Sequence, residues 1–122
     1  MPTYERFLAW QHSHQLVLLT YKVTRNWPSH ETFGLVAQVR RAAVSVAANI
    51  AEGAAKKGSR EFCRFLDMAN GSLAETEYLI RLARDLAYLS EEEWSALEAR
   101  RAEAGRCLWA LYASVRAHAR ST

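Results

Sequence analysis

Three short clusters of helix-breaking residues divide this chain into four stretches, and every stretch is periodic. Only 5 Gly and 2 Pro occur in 122 residues, too little turn chemistry for an all-β domain of this size. Trp27-Pro28-Ser29 closes the first stretch, because Pro28 cannot continue a helix and restrains the residue before it. Lys57-Gly58-Ser59 is the second break, with Gly58 suited to a helix C-terminus and Ser59 to the next N-cap. Tyr88-Leu89-Ser90 is the third. Ser90-Glu91-Glu92-Glu93 then reads as a capping box whose acids favour the positive end of a helix dipole. Loops this short require antiparallel neighbours. The expected fold is all-α: an antiparallel up-down-up-down four-helix bundle, one domain over residues 1–122.

The apolar spacing assigns a buried seam to each helix. In helix 1 the expected seam is Trp10, His14, Val17, Tyr21 and Thr24; in helix 2 it is Val36, Val39, Ala43, Val46, Ile50 and Gly53. Helix 4 carries Trp94, Leu97, Ala104, Leu108, Leu111 and Val115, interrupted by Arg101. Helix 3 has two rows, Phe62, Leu66, Ala69, Leu73, Ile80 and Ala83 beside Phe65, Met68, Leu79, Leu82 and Leu86. A helix apolar on two sides is either the most buried of the bundle or faces a second subunit.

Composition and motifs exclude more than they select. No apolar run approaches a membrane span, and the N-terminal Met-Pro-Thr-Tyr-Glu-Arg lacks a signal-peptide pattern, so a soluble cytoplasmic chain is expected. Cys63 and Cys107 stand in apolar helical patterns with no CxxC, which reads as reduced thiols packing like small hydrophobes. The histidines are His12, His14, His30 and His118; His14 and His118 fall on seams, His12 on the surface and His30 in a loop. There is no HExxH, no Glu-x-x-His pair and no glycine-rich phosphate loop. Neither a metal, a cofactor nor a catalytic set is expected.

Helix 2 carries a polar stripe, Gln38, Arg41, Ser45, Asn49 and Glu52, bordered by Ala42, Ala43, Ala47, Ala48 and Ala51. Such a stripe is either a solvated face or, given small residues that admit another backbone, a helix–helix or subunit contact. The second alternative puts Glu52 at least partly out of water. Ser72 and Glu75 interrupt the second row of helix 3 and need partners if buried.

Antiparallel topology also sorts the charges. One pole collects Arg6, Lys56, Lys57, Arg60, Arg64, Arg116 and Arg120 against Glu5, Glu52 and Glu61, an excess of four positive charges hidden within a net charge of +3. The other pole mixes Lys22, Arg25, Arg40, Arg41, Arg81 and Arg84 with a slightly larger number of acids. Cations at helix C-termini are expected on dipole grounds alone; a basic pole is also the electrostatic footprint of nucleic-acid binding.

Helix 2 and its flanks carry a family resemblance. Phe33-Gly34-Leu35, Gln38-Val39-Arg40-Arg41-Ala42-Ala43-Val44-Ser45-Val46 and Ala48-Asn49-Ile50-Ala51-Glu52-Gly53 resemble the signature of the four-helix bundle proteins known as 23S rRNA intervening sequence proteins. Trp10-Gln11, Glu61-Phe62, Arg64-Phe65-Leu66 and Gly71-Ser72-Leu73 with Glu75 agree. Where the family usually has Pro this chain has Ala47, which should leave helix 2 straighter. The resemblance implies an antiparallel bundle that assembles into rings, commonly homopentamers. It also points to RNA or DNA as a partner, and to a partner protein such as the reverse transcriptase that similar accessory factors of retroelements hold. It singles out Gln38, Arg40, Arg41, Ser45, Asn49, Glu52 and Gly53, for assembly or for binding. Two functions are therefore in play: a non-enzymatic scaffold that binds nucleic acid through Lys56, Lys57, Arg60, Arg64, Arg6, Arg116 and Arg120, or a protein-interaction ring with no affinity for it.

Overall fold

The computed structural model describes residues 3–121; Met1, Pro2 and Thr122 lie outside them. A single 3-10 turn, Thr3–Arg6, leads into α1 (Leu8–Thr24). A second, Ser29–Glu31, precedes α2 (Leu35–Ala54), and then follow α3 (Ser59–Asp85) and α4 (Glu91–Ser121). All three breaks fall where the breakers stand. At the third, Glu93 N–H donates to Ser90 Oγ (3.1 Å) and Ser90 N–H donates to the Glu93 carboxylate (2.9 Å), both halves of a capping box. At the second, Ser59 is the first helical residue and not a cap; the turn is made by Gly58, whose φ of 91° lies in the region open to glycine.

Cross-helix pairs set the direction of every neighbour. Along α2 and α3, Gly53 meets Phe65 and Phe62, Ser45 meets Ser72, and Gln38 meets Glu75. Along α3 and α4, Gly105 faces Leu73, Arg101 pairs with Glu77, and Arg84 lies over Trp94. Arg40 of α2 bonds Thr24 at the end of α1, while Trp10 and His14 share a groove with Ala48 and Ala51. His12 of α1 faces Glu103 of α4, and Ala9 shares a groove with Cys107. Numbers rise on one helix as they fall on the next, so the bundle is antiparallel throughout.

Each helix packs on two neighbours, α1 on α2 and α4, α3 on α2 and α4, with no diagonal contact among the described residues. One core holds them together. Leu16, Ile50, Leu66, Ile80, Leu97 and Leu108 are fully buried, each worth roughly 1.5–3 kcal/mol against exposure. The α2 seam is buried as the spacing predicts, and α2 runs unbroken through Ala47. α3 is not central. Its first row enters the core with Phe62 half-buried; its second divides, Phe65 and Leu79 buried, Leu82 half-buried, Met68 and Leu86 exposed.

The α1 seam differs from expectation by one position. Ala9, Ser13, Leu16, Thr20, Val23 and Thr24 are buried, whereas Trp10, His14 and Val17 are half-buried and Tyr21 is exposed. Hydroxyls explain the difference: Thr20 Oγ1 donates to the Leu16 carbonyl and Thr24 Oγ1 to the Thr20 carbonyl, both at 2.7 Å, so these polar side chains enter the core already satisfied. His118 is exposed, not on a buried seam.

Candidate nucleic-acid interface

The short connection from α2 to α3 concentrates positive charge. Lys56 and Lys57 follow the C-terminus of α2, where unpaired carbonyls attract cations. Arg60 and Arg64 stand in the first two turns of α3, where the helix dipole repels them. Arg64 is compensated: its Nε and a terminal nitrogen donate to Glu61 at 2.9 and 3.2 Å. Glu61 is held below the ordinary carboxylate range by that hydrogen bond, and Arg64 is raised by its side of it. The Lys56 ammonium and the Arg64 guanidinium both lie over the Phe65 ring, 5.2 and 4.8 Å from its centre.

Arg60 has no such compensation. Among the described residues no ion pair holds Lys56, Lys57, Arg60, Arg6, Arg116 or Arg120, and all six are exposed. Arg6, in the turn before α1, lies over the ring of Phe7. Arg116 and Arg120 occupy the last two turns of α4; the α3–α4 register, continued from Leu73 and Gly105, sets them level with Phe62 and Gly58. Antiparallel packing therefore gathers all seven predicted cations at one end.

The motif of α2 separates into different roles. Gly53 allows close approach, since a Cβ there would stand 2.7 Å from Phe65 Cβ and 3.0 Å from the Phe62 ring. Arg40 spans the end of α1: Nε donates to Thr24 Oγ1 (2.9 Å), a terminal nitrogen to the Tyr21 carbonyl (3.3 Å), and the guanidinium covers the Tyr21 ring. Ser45 and Ser72 join their hydroxyls at 2.8 Å, Asn49 donates to Ser45, and Gln38 donates to Glu75 at 3.5 Å. The middle of the stripe is thus a helix–helix contact between α2 and α3. On either side of it the stripe is wet: Gln38, Arg41 and Glu52 are exposed, so the expected burial of Glu52 does not occur within one chain.

Two further features bear on function. Tyr4, Trp10, His14 and Val17 form an open apolar groove with Val44, Ala47, Ala48 and Ala51, and Trp10 stacks on His14 with ring centres 4.8 Å apart. Residues from opposite ends of the chain, His12, Glu103 and Cys107, meet between α1 and α4. No local spacing announces that group, because its histidine comes from the first helix and its acid and thiol from the last.

The chain that folds into this four-helix bundle matches a known family. The model of the 23S rRNA-intervening sequence protein family covers residues 5–110, and the chain belongs to that family. The crystal structure of a protein with unknown function from the S23 ribosomal protein family of Bacteroides thetaiotaomicron is similar in fold. It superposes with a TM-score of 0.76 at 22% identity, over 85% of this chain and 97% of that one. No curated protein matches the sequence significantly. Among the described residues no helix is long and apolar enough to cross a membrane.

Proposed function

We propose that this protein is a non-enzymatic, cytoplasmic, homo-oligomeric scaffold that binds nucleic acid, RNA first, through its basic end. One observation carries the reading. Arg60 stands at the positive end of α3 with no ion pair among the described residues, since the adjacent Glu61 pairs with Arg64, and it lies next to the equally unpaired Lys57. Dipole complementarity accounts for cations after a helix and not for one at its start, so the helix that carries Arg60 does not explain its charge. A phosphate backbone supplies the missing anion.

Assembly multiplies the effect. The open groove of Trp10, Val17, Val44 and Ala48, with exposed Met68 and Leu86 on α3, supports a second copy as its cover. A closed ring leaves no such surface unpaired, and a pentamer would present about twenty excess positive charges. Light scattering across a gel-filtration peak, with and without a single-stranded RNA, tests both parts. The expected result is a multiple of 13.8 kDa that co-elutes with RNA. A monomer at every concentration contradicts the assembly. An oligomer that ignores RNA even at low salt transfers the function to protein partners held on the ring.

A further inference from the structure

His12 of α1 and Glu103 and Cys107 of α4 bring a nitrogen, an oxygen and a sulfur ligand together, each within 4.8 Å of the others. Glu103 and Cys107 share one face of α4, one helical turn apart. Their common focus is Glu103 Oε1, which lies 3.8 Å from His12 Nε2 and 3.9 Å from Cys107 Sγ. Cys107 is buried and the other two are half-buried. The Nδ1 atom of His12 is shielded from solvent without a hydrogen-bond partner, and Nε2 is the ring nitrogen that faces the Glu103 carboxylate.

We propose that His12, Glu103 and Cys107 form a binding site for a divalent transition metal of the zinc type, tying the first helix to the last. In a tetrahedral zinc site with bonds of about 2.0–2.3 Å, neighbouring ligand atoms stand roughly 3.3–3.7 Å apart. Two of the separations here are already within a few tenths of an ångström of that range, and rotation of the side chains closes the third. The mixed ligand set selects against magnesium and calcium, which require oxygen, and suits zinc or cobalt. Three protein ligands leave the fourth position for water. Arg106 competes for the same carboxylate through a close ion pair, but its side chain is 70% exposed and free to swing into solvent.

Cobalt(II) titration of the full-length protein under reducing conditions tests the site, because a cobalt–thiolate bond gives a near-ultraviolet charge-transfer band. The expected result is that band at one cobalt per chain, displaced by zinc. It should vanish in Cys107→Ser, weaken at least tenfold in affinity in His12→Gln and Glu103→Gln, and persist in Cys63→Ser. Arg106→Gln should tighten binding, and zinc should raise the melting temperature of the unaltered chain. The variants at half-buried His12 and exposed Arg106, His12→Gln and Arg106→Gln, keep the test decisive if Cys107→Ser fails to fold. No band at millimolar cobalt, a band that survives Cys107→Ser, one lost in Cys63→Ser, or equal affinity in His12→Gln would overturn the assignment.

Discussion

The two ends of the bundle use charge differently. At the end where α1 passes to α2 and α3 to α4, acids are building material. Glu31 accepts the Leu35 N–H (3.1 Å) and the Tyr88 hydroxyl (2.9 Å), joining the two connections, while Trp27 packs against the Tyr88 ring. Arg84 covers Trp94 and approaches Glu91, and Arg81 reaches Asp85. At the other end Arg64 pairs with Glu61, while among the described residues the exposed Lys57 and Arg60 have no ion pair. At the first end Glu31, Arg81 and Arg84 are engaged in closing the bundle, with Lys22 and Arg25 exposed among a larger number of acids. At the second end cations outnumber acids, and Lys57 and Arg60 remain available to a partner. A surplus that folding does not use is the strongest functional signal in this molecule.

Reversing the surplus should give the largest effect. Lys57→Glu with Arg60→Glu is expected to lower RNA affinity at moderate salt by at least a hundredfold, about 2.8 kcal/mol, with the melting temperature unchanged. The matching reversal of Lys22 and Arg25, exposed at the opposite end, should change affinity less than threefold. Equal losses from both ends would dissolve the distinction. Fluorescence anisotropy with a labelled single strand measures each.

Gly53 is the exception at the basic end, a residue that serves the fold. Gly53→Leu drives a side chain into Phe65 and Phe62 and should destabilise by about 1–3 kcal/mol or more, read as a lower midpoint in urea. An unchanged midpoint would mean that α2 and α3 can separate at no cost.

Acid should loosen the opposite end at Glu31. The Leu35 N–H, then the Tyr88 hydroxyl, hold the Glu31 carboxyl below its ordinary value of 4.5. A depressed carboxylate contributes stability that is present above its unfolded value and lost as pH falls through its folded one. Glu31→Gln is therefore expected to melt lower than the unaltered chain near neutral pH, the gap narrowing below about pH 4.5. A gap independent of pH would remove Glu31 from this role. The smallest effect belongs to Glu52. As an exposed side chain without an ion pair among the described residues, Glu52→Ala should alter the chain's own stability by less than about 0.5 kcal/mol. A larger loss that tracks a change in oligomer mass would place Glu52 in a subunit contact.

How much of this was legible in the sequence follows from the range of the interactions. Breaks, capping box and the α2 seam depend on residues within a few positions of one another, and they read correctly. The α1 seam did not, apart from Thr24, because Ser13 and Thr20 look polar on paper while the Thr20 hydroxyl is satisfied by its own helix. The basic end was legible once short loops implied antiparallel helices, since topology alone gathers Arg6, Lys57 and Arg116. What topology could not show was compensation: that Arg64 pairs with Glu61 and Arg60 has no ion pair among the described residues is a matter of rotamers and distances. The meeting of His12 with Cys107 depends on the α1–α4 register, which no local motif encodes.

The central claim is that the basic end binds nucleic acid through phosphate charge, and salt dependence tests it most directly. Affinity for a single-stranded RNA, measured across a series of monovalent salt concentrations, should fall linearly on a log–log plot, with a slope of about −0.7 for each phosphate neutralised. Several phosphates per chain, a weak preference among sequences, and a shallower slope after Lys57→Glu and Arg60→Glu are the predicted result. No binding at the lowest salt, or an affinity indifferent to salt, would contradict it.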